Sequence, residues 1–187
     1  MAIRRPKLEI VPYDPEWPAA FEAEAVRLRA ALGDVALRID HHGSTSVPGL
    51  AAKPIIDIQV SVAALQPVAA YGERLETLGY VHVPDADDSF CPFFHRPRQW
   101  PHSHHVHVVE RGGAEERRTL AFRDYLRDHV TAAREYERLK HHLARQLAAT
   151  DRESHETYAR AKTDFIERIV AEALSSRYPR EWLQPIG

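Results

Sequence analysis

Apolar residues fall into blocks whose spacing switches from helical to strand-like and back along the chain. Trp17, Phe21, Ala25, Leu28 and Leu32 recur every three or four positions between Asp14-Pro15, a cap and first-turn pair, and Gly33, a stop. This predicts a first amphipathic helix. Val35 to Asp40 alternates apolar and polar positions, predicting a strand that enters a turn-forming segment, His41-His42-Gly43-Ser44, extending through Pro48-Gly49. A second strand is expected over Ile55 to Val62, directly after Pro54. Pro67 opens a second helix with Val68, Tyr71, Leu75 and Leu78 on one face; Gly79 closes it, and Tyr80 to Val83 reads as a strand. The segment 84–103, rich in Pro, Asp and Arg, predicts a loop or an irregular hairpin. His104 to Glu110 alternates again and ends at Gly112-Gly113. Three helices are expected beyond it, over Ala114 to Asp128, Thr131 to Ala149, and Asp151 to Ser175. The last carries Tyr158, Phe165, Ile169 and Ala173 on a shared face.

Together these elements predict one α/β (α+β) domain spanning residues 1–187: a sheet of about four or five strands covered by helices. It would be sheet-rich over 1–113 and helical over 114–175, with a C-terminal tail at 176–187. With 25 basic against 27 acidic residues and a formal charge of -2, a global grip on nucleic acid is not expected, and any polyanion must meet a local patch. The balance favours a small charged ligand. No uncharged apolar run reaches the ~18 residues of a membrane helix. Glu9, Pro12 and Asp14 stand where a secretory apolar region would begin, so a cytoplasmic protein is expected. The single cysteine, Cys91, excludes an internal disulfide and a Cys-rich zinc site, whereas twelve histidines single out imidazole as the residue type to follow.

Chemistry concentrates between Asp40 and Val60. A phosphate-handling site needs exposed backbone N–H groups and hydroxyls near a turn, a cation, and a carboxylate for a divalent metal. Gly43 permits close backbone approach, Ser44, Thr45 and Ser46 offer hydroxyls, Lys53 offers a charge, and Asp57 sits among Ile55, Ile56, Ile58 and Val60. An acid in an apolar strand costs free energy unless it is paired, hydrogen-bonded or metal-bound. The alternative is a plain strand connection, with Asp57 capping a neighbouring backbone group. A Walker A loop is excluded, because Lys53 is followed by Pro54 and a strand rather than by a helix.

The run Gly43-Ser44-Thr45-Ser46-Val47-Pro48-Gly49-Leu50-Ala51-Ala52-Lys53-Pro54-Ile55-Ile56-Asp57-Ile58 resembles the signature of the GrpB-like family of the nucleotidyltransferase superfamily. Further landmarks are Val11 to Trp17, His104 to Val109, Phe122 to Arg127, and Tyr158 with Lys162, Phe165 and Ile166. The resemblance implies a nucleotidyltransferase-like mixed sheet flanked by helices. It implies that Gly43 and Ser44 bind nucleotide phosphate, that Asp57 is the first metal carboxylate, and that the cofactor is Mg²⁺ or Mn²⁺ with an NTP as substrate. The superfamily pattern expects a second carboxylate two residues further on, where this chain has Gln59. A neutral amide does not supply the charge that holds a second ion.

His105 and His107, two apart on a strand, share a face, while His104 points the other way. If their strand neighbours Asp57, the three form a His-His-carboxylate set suited to Zn²⁺, Mn²⁺ or Fe²⁺ more than to Mg²⁺. His107 is also a candidate general base. Alternatively, the histidines merely cover a sheet face. Arg123 and Lys162, each on a predicted helix beside aromatic core positions, are the remaining candidates to reach over the sheet to a phosphate; the alternative for Arg123 is to pair with a nearby acid, Lys162 is expected instead on a wet helix face, and Cys91 is expected to pack as a small apolar residue. The expected function is nucleotidyl transfer to an unknown acceptor. The alternatives are a nucleotide- or phospho-ligand-binding domain without transfer, and a single-metal phosphoester hydrolase.

Overall fold

In the computed structural model, which describes residues 8–84, 86–147 and 152–180, β-branched strands are sandwiched between two helical layers. The strands are β1 (Arg38–His42), β2 (Ile56–Val62), β3 (Val81–His82), β4 (Phe93–Arg96) and β5 (His104–Glu110). They form one mixed sheet in the order β1-β2-β5-β4-β3, in which only the β2–β5 pair is parallel. Cross-strand partners share a face. One face therefore collects Ile56, Ile58, Val60, Val62, Val106, Val108 and Phe94, which pack with Trp17, Phe21, Leu28, Leu32, Tyr71 and Leu75 in the main core. Those partners come from α1 (Trp17–Leu32) and α2 (Ala69–Thr77). Asp57, Gln59, Ser61, His105 and His107 occupy the opposite face. Against the sheet on that side lies α3 (Ala114–Asp128), with α4 (Val130–Leu147) and α6 (Thr163–Ser175) packed on α3 and α5 (Arg152–Arg160) packed on α4.

Gly33 ends α1 as expected, with φ 56, but the chain then makes a short 3-10 turn, so the first strand begins at Arg38 rather than Val35. It also runs further than its alternation suggested. The ladder with β2 continues to His42 opposite Asp57, which places His41 and His42 in the strand and not in the turn. The segment 84–103 contains a 3-10 helix at Ala86–Ser89 and then β4, which takes its place by pairing with β3 and β5. The expected single helix from Asp151 to Ser175 is two: Arg160 ends α5, and Lys162 precedes α6. Asp151 and the end of the helix expected to Ala149 lie outside the described residues. Of the expected tail, 181–187 lie outside too, whereas Tyr178 is buried against Ala121 and Ala173 and donates to Asp128 (2.7 Å). No helix among the described residues is long and apolar enough to cross a membrane.

Candidate functional site

The β2–β5 pairing decides the site. Asp57 stands opposite His105 on one side and His42 on the other, and Gln59 stands opposite His107. Asp57, His105 and His107 thus project from adjacent strands into one cleft, each offering a ligand atom within 4.8 Å of the others'. His105 Nδ1 lies 3.2 Å from Asp57 Oδ1, and its Nε2 lies 3.2 Å from His102 Nδ1. Burial works to raise the Asp57 carboxyl, but the hydrogen bond from His105 and the surrounding imidazoles outweigh it and hold the group well below the usual carboxylate range. Burial lowers His107 to about 4, so its imidazole is neutral at pH 7 with a lone pair available. An ionised carboxylate and a neutral imidazole are the forms that bind a metal.

The bend after β1 is a 3-10 turn over Ser44–Ser46, entered through Gly43 at φ 69. A β-carbon at position 43 would sit 2.5 Å from Asp57 Oδ2 and 2.9 Å from Asp57 Cβ. Only glycine lets the bend lie directly against the acid. Gly43, Ser44, Thr45 and Lys53 line the same cleft as Asp57, His105 and His107. Ser46 does not: its hydroxyl donates to the Gly43 carbonyl (2.6 Å) and braces the bend from behind. Arg123 also lies elsewhere. It is buried at 6% exposure, bound to Asp124 (2.7 Å), Asp40 (3.4 Å) and the His41 carbonyl (3.2 Å), and it pins the end of β1 instead of reaching a phosphate. His41 turns to the core face, where its ring stacks on Phe21 at 4.8 Å.

The facing wall comes from helices whose role the sequence did not announce. Tyr136 and Lys140 of α4, Tyr158 of α5 and Lys162 all line the cleft, so Lys162 leaves the wet helix face expected for it. Lys140 is buried, donates to the Ala51 carbonyl and lies 4.9 Å from the centre of the Tyr136 ring. Lys162 and Lys53 lie 4.5 Å and 5.4 Å from the centre of the Tyr158 ring, whose buried hydroxyl finds no partner among the described residues. Burial lowers Lys140 to about 7, Glu137 opposing and Lys53 assisting. Lys162 falls to about 7 through burial and the fields of Lys53 and Lys140. Neither forms an ion pair among the described residues. Arg118 differs: on the same cleft, it is balanced by Glu115 (3.2 Å) and Glu167. The cavity measures about 590 Å³, within the range of small-molecule sites.

Gln59, fully buried, accepts a hydrogen bond from Thr119 Oγ1 and does not line the cleft. Among the described residues, one carboxylate accompanies the two imidazoles.

The GrpB protein family model matches residues 7–172. The chain belongs to the GrpB family. A UPF0157 protein of Pseudomonas aeruginosa is 42% identical to this GrpB-family chain over 181 residues, covering 92% of it and 71% of the relative. The crystal structure of the conserved protein GrpB from Enterococcus faecalis superposes with a TM-score of 0.80 at 35% identity, over 91% of this chain and 99% of that one. A Cid1 poly(U) polymerase structure reaches a TM-score of 0.49 at 14% identity over 73% of this chain and 45% of that chain, and nothing about the site follows from it.

Proposed function

We propose that the cleft binds one divalent metal on Asp57, His105 and His107 together with the phosphates of a nucleotide, and that it transfers a nucleotidyl group to an acceptor. The observation that carries this reading is the pair of amines, Lys140 and Lys162, held without counter-ions across from that trio. Amines set in a cleft with no carboxylate in contact resist protonation, and an anionic ligand would favour their charged form. The donor set fits a metal: two imidazoles and one ionised carboxylate favour Mn²⁺ or Zn²⁺ over Mg²⁺. A divalent ion held there would polarise a phosphoryl oxygen as a Lewis acid. The chain's own groups do the rest. The 3.2 Å contact of His105 Nδ1 with Asp57 Oδ1 positions the acid beside the two imidazoles. Backbone and hydroxyl groups of Gly43, Ser44 and Thr45 receive phosphate oxygens, and Lys53, Lys140 and Lys162 offset the charge that develops in transfer. Gln59, engaged by Thr119, supports a single metal. It also favours a second reading, nucleotide binding without transfer.

The test combines metal content after dialysis against Mn²⁺ or Zn²⁺ with calorimetry and product analysis using NTPs. Wild type should retain about one ion, a ratio that Asp57→Asn and His107→Ala reduce at least tenfold. Lys162→Ala should keep the ion and lose the nucleotide. Pyrophosphate release that disappears in Asp57→Asn supports transfer, and binding without turnover supports the second reading. Undiminished metal uptake in both Asp57→Asn and His107→Ala would overturn the site.

A further inference from the structure

The cleft is lined by two unlike sets of side chains: lysines and tyrosines from the helical half, and Phe90, Cys91 and Phe93 from the segment that leads into and forms β4. Phe93 projects from β4 with its ring 5.0 Å from those of both His105 and His107, so it forms an apolar wall beside the trio. Phe90 is 48% exposed. Large apolar side chains this exposed are few among the described residues: Val26, Leu37, Phe90 and Val130. Of these, Phe90 alone is aromatic and alone lines the cleft. Its position is set by backbone. The N–H groups of Phe90 and Cys91 both donate to the Asp87 carbonyl (2.9 and 2.7 Å), closing the 3-10 helix into a turn that presents the ring at the rim. Folding gains nothing from leaving a phenyl ring half in water, whereas a planar ligand face would cover it.

We infer that Phe90 and Phe93 form a base-binding platform, so that the ligand is a nucleotide lying with its phosphates toward Lys140 and Lys162 and its base against the Phe90 ring. This rests on the phosphate-site reading above and adds to it the aromatic end of the ligand. The platform offers ring faces, so it holds a base by stacking and discriminates weakly among the four bases.

Calorimetric titration in the presence of Mn²⁺, with ATP, UTP and inorganic tripolyphosphate as probes, separates the two claims. At least one nucleotide should bind roughly 5- to 150-fold more tightly than tripolyphosphate, the usual range for one stacked base. Phe90→Ala should remove most of that margin while leaving tripolyphosphate affinity unchanged, and Phe90→Tyr should keep it. Because Phe90 is half exposed, the alanine variant should melt with wild type. Lys162→Ala should weaken all three probes. Nucleotides and tripolyphosphate binding alike, or Phe90→Ala weakening both equally, would overturn the platform and leave the phosphate site standing. No binding of any probe would overturn both.

Discussion

Replacing Lys140 with methionine tests the premise that the cleft holds its amines at a cost the empty fold does not recover. Lys140 is 2% exposed, lies against the Tyr136 ring and donates to the Ala51 carbonyl. Its ammonium falls from 10.5 to about 7, chiefly through burial. Between those two values the unfolded chain holds a proton that the folded chain has released, so stability must rise with pH across the window. At about 1.4 kcal/mol per pKa unit, the charged form costs on the order of 4 kcal/mol at neutral pH. Water penetration and local relaxation should trim this to about 2 kcal/mol. Methionine removes that cost and leaves the Ala51 carbonyl without its donor, a loss of about 1 kcal/mol. The net expectation is that Lys140→Met is roughly 1 kcal/mol more stable than wild type at pH 7, a rise in Tm of about 2–4 °C. Urea unfolding of both proteins from pH 7 to pH 10 checks it. Wild type should gain stability across the range and the variant about half as much, the remainder coming from Lys162, which is lowered in the same way. A variant less stable than wild type with an undiminished pH slope would refute the reasoning and make Lys140 a structural strut.

Two further outcomes follow from the opposite wall. Gly43→Ala puts a methyl group 2.5 Å from Asp57 Oδ2 at a positive φ; a loss of about 1–3 kcal/mol in urea unfolding is expected, with metal uptake falling beyond what that loss explains. Burial, first among the causes in each case, lowers His41 and His107 to about 4 and His42 to about 3 from 6.5. As pH falls from 6.5 toward 4 the unfolded chain takes up protons that the folded chain refuses, so stability is lost at up to about 4 kcal/mol per pH unit for three groups. Acid titration followed by circular dichroism should show this steep limb, and His42→Leu should flatten it by about a third.

What the sequence determined by itself is what depends on near neighbours. The apolar run after Pro54 and the alternation between His104 and Glu110 located the two central strands, because both signals lie within a few residues of one another along the chain. Gly33 and the helix over Ala114–Asp128 were legible for the same local reason. The Gly43–Asp57 run named one wall of the cleft, since its glycine, hydroxyls and acid lie within fifteen residues. Where local pattern and ladder pairing competed, pairing won: β1 is shifted toward His42 because Asp57 offers it a partner, and β4 exists only between β3 and β5.

Tertiary structure alone joined β2 to β5, since nothing in either strand states that they are parallel neighbours. It also chose among the cations. Arg123 went to Asp40, whereas Lys140 and Lys162 came to the cleft from chain positions more than eighty residues beyond Asp57. One trace of this was present in the sequence: Lys140 shares the buried face of α4 with Tyr136 and Ala144, four residues to either side, where an aliphatic residue would be expected. Periodicity can mark a charge as misplaced on an apolar stripe. Only the packing of that stripe determines whether the charge meets a carboxylate, as Arg123 does, or lines a cavity, as Lys140 does, because electrostatic partners are set by distance in space and not along the chain.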